Sequence, residues 1–409
     1  MIAQPKARAR SFGRRAARAV RLPCALVLAG VVAVLLNHCA AFGARPEGAR
    51  LARLMRSPHW HDGRLENEQA AWSDTAASYQ RLFFGPSQPN TTPSAPVPVL
   101  HPSFNAPPAS GLAVTWFGHS SIFVEIDGVK VLIDPLWSAR ASPIGWVGPS
   151  RWFSPPVDVA ALPVDVVIIS HDHYDHLDYE TILALKSTRA RFVVPLGVGA
   201  HLEYWGVPSE RIVELDWWES TRVTGLEITA TPARHASGRI STKSNHTLWA
   251  GYALVGPQRR AWYSGDTGFH DALARIGERF GPFDLTLIDS GQYDANWPDA
   301  HLGPELAVEA HLLVRGRALL PVHWGALQLA PHAWTEPVER VLSAAACRDV
   351  EVLTPRPGER IEPTDHPRLG RWWPAIPWRT ARDYRVVGTK DGNAAHRIVL
   401  PACATGKGP

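Results

Sequence analysis

The chain has 409 residues, 45% of them hydrophobic and 20% charged. That balance excludes wholesale disorder. Only one stretch approaches the length of a membrane span, which excludes a polytopic membrane protein. The formal charge of +4 gives no argument for a nucleic-acid partner: Lys6, Arg8, Arg10, Arg14, Arg15, Arg18 and Arg21 crowd the first turns of the chain without an acid among them, and the remainder is slightly acidic. The four cysteines, Cys24, Cys39, Cys347 and Cys403, are too few and too scattered for a disulfide scaffold or a cysteine-only zinc site.

Residues 1–44 combine the basic head with an apolar run from Leu22 to Leu36, followed by Asn37, His38, Cys39 and small residues. This is the layout of a signal peptide, with Ala41-Phe42-Gly43 available for cleavage, or of a retained membrane anchor. Either reading exports the body across the cytoplasmic membrane and leaves it periplasmic or membrane-anchored, because the basic side stays inside. A lipoprotein reading through Cys39 is the weaker one, since bulky His38 stands where a small residue is needed.

Residues 45–110 form an extension. Its first half is partly helical, with Leu51, Leu54 and Met55 at helical spacing. Its second half, rich in Pro, Ser and Thr, reads as a linker or an extended wrap. The compact body spans 111–365. Strands are expected at 112–117 and 122–126, then a turn at Asp127-Gly128, then a returning strand at 129–133. The run Asp165-Val166-Val167-Ile168-Ile169 is a fully apolar strand, and a helix is expected over 179–186. Further strands are expected at 192–195, 212–215, 226–230, 261–263, 285–288 and 319–322. A helix over 304–312 carries its proline near the start. No fixed-period repeat is present. The order is mixed α/β, with polar residues where strands end, the usual location of sites in such folds. Residues 366–409 read as an irregular C-terminal tail.

The chemistry concentrates in Ser170-His171-Asp172-His173-Tyr174-Asp175-His176, directly after the apolar strand. Three imidazoles and a carboxylate this close together suit a borderline cation such as zinc. A loop, unlike a strand or helix, lets neighbouring side chains point to two centres. Further ligands are expected at other strand ends, with His235, Asp266 in Ser264-Gly265-Asp266-Thr267-Gly268, and His323 as the candidates. A lone histidine after a strand is more often a packed residue, and an aspartate beside glycine is more often a turn residue. Their recurrence at strand ends beside the cluster favours the ligand reading.

The cluster, the Gly-Asp-Thr-Gly turn and Val322-His323-Trp324-Gly325 together resemble the metallo-β-lactamase superfamily. Trp116-Phe117-Gly118-His119-Ser120-Ser121, Asp134-Pro135-Leu136-Trp137-Ser138 and Glu214-Leu215-Asp216-Trp217-Trp218-Glu219 are similar to its N-acylphosphatidylethanolamine-hydrolysing phospholipase D branch. Asp289-Ser290-Gly291-Gln292-Tyr293-Asp294 and His332-Ala333-Trp334-Thr335-Glu336-Pro337 resemble that branch's bacterial relatives. The resemblance implies an αββα sandwich holding two zinc ions. His171, His173 and His235 would hold one; Asp175, His176 and His323 would hold the other; Asp266 would bridge. His301, in His301-Leu302-Gly303-Pro304-Glu305, would contact substrate. His119 and Asp134 match residues of the fold rather than ligands.

The activity implied is phosphodiester hydrolysis by a metal-bridging hydroxide, releasing phosphatidic acid and an N-acylethanolamine from a phospholipid at a membrane surface. The rival readings are a lactonase or phosphodiesterase of the same fold acting on a soluble substrate, and a metal-binding envelope protein without catalysis. Among the seventeen tryptophans, Trp217-Trp218 and Trp372-Trp373 could serve either a lipid-facing surface or the core. The oligomeric state is not legible.

Overall fold

Two seven-stranded sheets pack face to face in the computed structural model, which describes residues 39–74, 76–77 and 88–400. The chain divides into an N-terminal unit ending at Phe42, of which Cys39–Phe42 is a single 3-10 turn, and a body from Gly43 that carries both sheets. The expected signal or anchor lies almost wholly outside the described residues. Among the described residues, no helix is long and apolar enough to cross a membrane.

The body opens with α1 (Gly48–Leu54) and a small hairpin, β1 (Trp60–His61) and β2 (Arg64–Leu65). The first large sheet holds β3 (Leu112–Trp116), β4 (Ile122–Ile126), β5 (Val129–Ile133), β6 (Val166–Ile168), β7 (Arg191–Pro195), β8 (Ile212–Leu215) and β16 (Arg360–Ile361), in the order β16-β3-β4-β5-β6-β7-β8. The second holds β9 (Ser220–Val223), β10 (Leu226–Thr231), β11 (Gly251–Val255), β12 (Arg260–Tyr263), β13 (Phe283–Asp289), β14 (Gly316–Val322) and β15 (Glu351–Val352), in the order β15-β14-β13-β12-β11-β10-β9.

Each sheet is antiparallel in its first half and parallel in its second. The antiparallel halves are tied by tight turns: Asp127 (φ 47°) and Gly128 (φ 85°) both adopt the left-handed conformation that a two-residue hairpin needs, pairing Ile126 with Val129. The parallel halves are covered on both faces, and their central strands are largely buried. All seven residues of β13 are buried.

The central core lies between the sheets, where Val114, Val124, Val131 and Ile168 meet Ile228, Tyr252, Leu287 and Leu320. Outside the first sheet pack α2 (Tyr179–Leu185) and α3 (Gly199–Tyr204), through Ile182, Leu185 and Leu202. Outside the second pack α4 (Ala272–Phe280), α5 (Gly303–Leu313) and α6 (Glu336–Arg348), through Ile276, Leu306 and Val341. The layering is therefore α, β, β, α. Each fully buried Leu, Ile or Val contributes about 1.5–3 kcal/mol relative to exposure.

The segments flanking the sandwich are fastened to it. Arg50 pairs with Glu214 (2.8 Å), Trp72 N–H donates to Asp299 Oδ2 (2.7 Å), and Leu100 N–H donates to Pro357 O (2.8 Å). From the C-terminal side, Trp373 Nε1 donates to Glu339 (2.8 Å) and Thr389 N–H to Asp299 (2.6 Å). Of the two readings of the paired tryptophans, the core is the one they serve. Trp217 and Trp373 are buried, and Trp372 stacks on Trp324 (5.6 Å, 22°), which stacks in turn on Trp116 (5.2 Å, 24°). Large aromatic surface is worth more in the core than in water.

Candidate metal centre

The seven candidate ligands leave strand ends along one edge of the sandwich. His171, His173, Asp175 and His176 follow β6, His235 follows β10, Asp266 follows β12 and His323 follows β14. Backbone bonds join the two sheets at this edge: His119 N–H donates to Trp324 O (2.9 Å) and His323 N–H to His119 O (3.0 Å). His119 (φ 52°), Asp134 (φ 41°) and His323 (φ 66°) are left-handed, a conformation costing a non-glycine residue about 1–2 kcal/mol. Such strain clusters where side-chain direction matters. Asp266 is delivered by a turn that only glycine permits, since Gly265 is left-handed (φ 60°) and a Cβ there would stand 2.6 Å from Ala250 O.

His171, His173 and His235 form one group, with candidate ligand atoms all within 4.8 Å of one another. Nδ1 of His173 lies 2.9 Å from Nε2 of His171 and 3.3 Å from Nε2 of His235. The outer nitrogens are all engaged: His173 Nε2 with Thr242 O (3.0 Å), His235 Nδ1 with Ala300 O (2.9 Å) and His171 Nδ1 with Ser170 Oγ (3.0 Å). A carbonyl can only accept, and Ser170 Oγ donates its proton to Asp134 Oδ2. Each outer nitrogen therefore carries its ring's proton, and three bare lone pairs converge inside. No donor among them answers those lone pairs; a cation does.

Asp175, His176 and His323 form the second group, and the structure adds His119, which the sequence assigned to the fold. His119 Nε2 donates to Asp175 Oδ2 (2.8 Å). His176 Nε2 stands 3.2 Å from Asp175 Oδ2 and 3.1 Å from Asp266 Oδ2, yet makes no hydrogen bond. Asp266 lies between the groups: Oδ2 is 3.8 Å from both His171 and His235, and Oδ1, buried and unpartnered, is 3.3 Å from His323 Nδ1. Buried polar atoms without partners are rare enough to need a reason. Here the residues fit bound metal.

Electrostatics give the same donor set. Burial holds His171, His235 and His323 well below the usual imidazole range. Burial would raise Asp175 and Asp266, but the surrounding imidazoles, His176 foremost, hold both well below the usual carboxylate range. At His176 burial acts downward, but Asp266, Asp175 and Asp134 outweigh it and hold the ring well above its ordinary value. His171, His235 and His323 are thus neutral imidazoles beside ionised carboxylates, the ligands a borderline divalent ion takes, whereas His176 holds a proton among those carboxylates that a cation would have to displace.

His301 lies beside the groups. Its ring stacks on His323 (4.9 Å, 18°), and its Nδ1 is 2.9 Å from Asp289 Oδ2. Asp289, which sequence reading left without a role, closes β13 and is fully buried. Burial pushes its carboxyl up to about 6. The one signal for it was an acid at the end of a fully buried strand. Of the eight sequence-selected residues, only His173, Asp175 and His301 are partly exposed, so the centre opens on their side.

Residues 129–324 match the model of the beta-lactamase superfamily domain. An uncharacterized protein of Mycobacterium tuberculosis is 50% identical over 343 residues, covering 82% of this chain and 92% of that protein. An N-acyl-phosphatidylethanolamine-hydrolyzing phospholipase D 1 of Caenorhabditis elegans is 37% identical over 274 residues, covering 63% of this chain and 77% of that protein. Among solved structures, a metallo hydrolase from the archaeon Ignicoccus hospitalis aligns at a TM-score of 0.49 and 23% identity, over 61% of this chain and 97% of that one. The family model, the donor set and the sequence relatives agree: the chain belongs to the beta-lactamase superfamily, as one of its metal-dependent hydrolases.

Proposed function

We propose that the protein is a dinuclear zinc phosphodiesterase that hydrolyses N-acylphosphatidylethanolamine-like phospholipids to phosphatidic acid and an N-acylethanolamine. The observation that carries this reading is the pair of donor groups sharing Asp266. His171, His173 and His235 would hold one ion, Asp175, His176 and His323 the other, and Asp266 would face both. When bound, two such ions supply a water acidic enough to attack phosphorus at neutral pH and neutralise charge on the phosphoryl oxygens.

The chain's own residues do the rest. Ser170, Thr242 and Ala300 aim the imidazoles of the first group, and the buried walls keep bulk water from the reacting atoms. His301, tethered through Nδ1 to Asp289, stands at the open side; burial disfavours its charged form but Asp289 and Asp266 outweigh it and favour the protonated ring, in which Nε2–H can donate to a substrate oxygen.

The phospholipid assignment is supported by the C. elegans relative. It is also supported by exposed apolar groups: Trp146 (64% exposed) and Val147 (43%) on one loop, and Ile240 (81%) on the loop whose Thr242 carbonyl meets His173. Export of the body is part of the proposal. The charge layout of residues 1–44 supports it, as does Cys347, which is disulfide-bonded, a state that persists in oxidising compartments. A reporter fused behind residue 44 and active only outside the cytoplasm tests export.

Activity is tested by a hydrolysis panel of N-acylphosphatidylethanolamine, plain glycerophospholipids, a simple phosphodiester and a lactone, each with and without chelator. Chelator-sensitive release of N-acylethanolamine is the expected result. Turnover confined to the lactone or the soluble phosphodiester would move the protein to a soluble-substrate branch.

A further inference from the structure

We infer that Asn67 is a positioning residue for the metal centre, clamping the backbone of His235 from outside the family domain. The inference rests on the reading of His235 as a ligand. Asn67 Nδ2 donates to His235 O (2.8 Å), and His235 N–H donates to Asn67 Oδ1 (3.0 Å). One carboxamide thus takes both backbone groups of one residue, as a neighbouring strand would. No neighbouring strand does so, because His235 lies between the end of β10 at Thr231 and the start of β11 at Gly251, in a stretch without helix or strand. The position of His235 along that stretch has to be set by side chains.

The orientation of the amide is fixed by chemistry. Trp249, buried at 1% exposure, also points Nε1–H at Asn67 Oδ1 (3.0 Å), and an indole can only donate. Oδ1 therefore faces Trp249 and the His235 N–H, which leaves Nδ2 for the His235 carbonyl. With the backbone held by Asn67 and Nδ1 held by Ala300 O, the ring has one direction left, and Nε2 points at His173 Nδ1. Asn67 precedes His235 by 168 residues and lies outside the 129–324 match. The strap that carries it is anchored separately, by buried Leu65 and by Trp72 N–H on Asp299.

The test is a chelator-competition titration of the full chain with zinc, with thermal unfolding measured alongside in excess chelator. Asn67→Asp keeps both accepting bonds but turns a carboxylate oxygen on the His235 carbonyl; Asn67→Ala removes the clamp without adding charge. Both are expected to weaken one zinc equivalent about 10-fold and leave the other within twofold of wild type. Leu65→Ala loosens the same strap without touching His235 and is expected to lower the melting temperature while leaving both equivalents unchanged. Wild-type binding in both Asn67 variants overturns the inference. So does equal weakening in Leu65→Ala, which would make Asn67 a contributor to stability alone. A wild-type protein that binds no zinc overturns the metal centre itself, a separate failure.

Discussion

Nδ1 of His176 lies 2.7 Å from Oδ2 of Asp134, and neither side chain reaches solvent. The same carboxylate accepts from Ser170 N–H (2.7 Å) and from the hydroxyls of Ser170 and Tyr263. Three of these four donors crowd Oδ2 and the Ser170 N–H takes Oδ1, so Asp134 is engaged in aiming its neighbours. It joins the ligand-bearing turn of the first sheet to β12 of the second and fixes the His176 proton on the side away from the centre. Asp134→Asn would turn an NH2 group on one or more of those donors. Unfolding stability in excess chelator is expected to fall by about 2–4 kcal/mol, and zinc affinity by about 10- to 100-fold. Urea denaturation and zinc competition check both numbers.

Removal of metal should abolish hydrolysis, and zinc should restore it. Zinc at 100 times its dissociation constant should also stabilise the fold by about 2.7 kcal/mol, because binding favours the folded state. Asp266→Ala removes the carboxylate that faces both donor groups. Hydrolysis is expected to fall below detection and zinc content to drop, with the circular dichroism of the fold retained. Wild-type turnover and zinc content in that variant would remove the shared role of Asp266.

Substitution of His301 tests the proposed separation of metal binding from substrate handling. It belongs to neither group of expected ligands, and Asp289 holds its Nδ1 at 2.9 Å. His301→Ala is expected to keep the zinc content and lose about 10²- to 10⁴-fold in kcat, the range for a removed acid or base. Asp289→Asn leaves the ring present but poorly tethered, so a smaller loss of the same kind is expected. Loss of zinc from His301→Ala would instead make His301 a ligand.

The metal centre was legible in sequence because its chemistry is dense: four candidate ligands fall within six residues, and the others follow strands whose apolar runs are unmistakable. What aims them was not. Asn67 and His119 are single residues whose partners lie far along the chain, and Asp289 is a lone acid in a stretch without a metal-ligand motif. Two of the elements missed have an identifiable physical cause. The face of α6 that packs inward carries Glu336, Glu339 and Arg340, buried because Arg340 pairs with Glu305 at 2.7 Å, and paired charges hide the hydrophobic period. β9 is a sheet edge of mostly exposed polar residues, Ser220-Thr221-Arg222-Val223, so its alternation is weak. The packing of the tryptophans was not legible either. Composition records how many there are, whereas the stack of Trp116, Trp324 and Trp372 depends on the tertiary fold.

A buried histidine away from the centre contributes to the loss of stability in acid. His311, on the inner face of α5, is 1% exposed, and its Nδ1 meets Thr286 Oγ1 at 2.7 Å. Burial lowers its pKa from 6.5 to about 4. Below pH 6.5 the unfolded chain takes up a proton that the folded chain refuses until about pH 4. The contribution is therefore complete above 6.5 and is lost as pH falls through that window, at no more than about 1.4 kcal/mol per pH unit. His311→Gln cannot be protonated in either state. With chelator present throughout, to keep metal binding out of the comparison, the stability difference between wild type and His311→Gln is expected to be constant above pH 7. Between pH 6.5 and 4.5 it should shift steadily in favour of the variant. Curves that run parallel down to pH 4.5 would show that His311 is not the group refusing the proton.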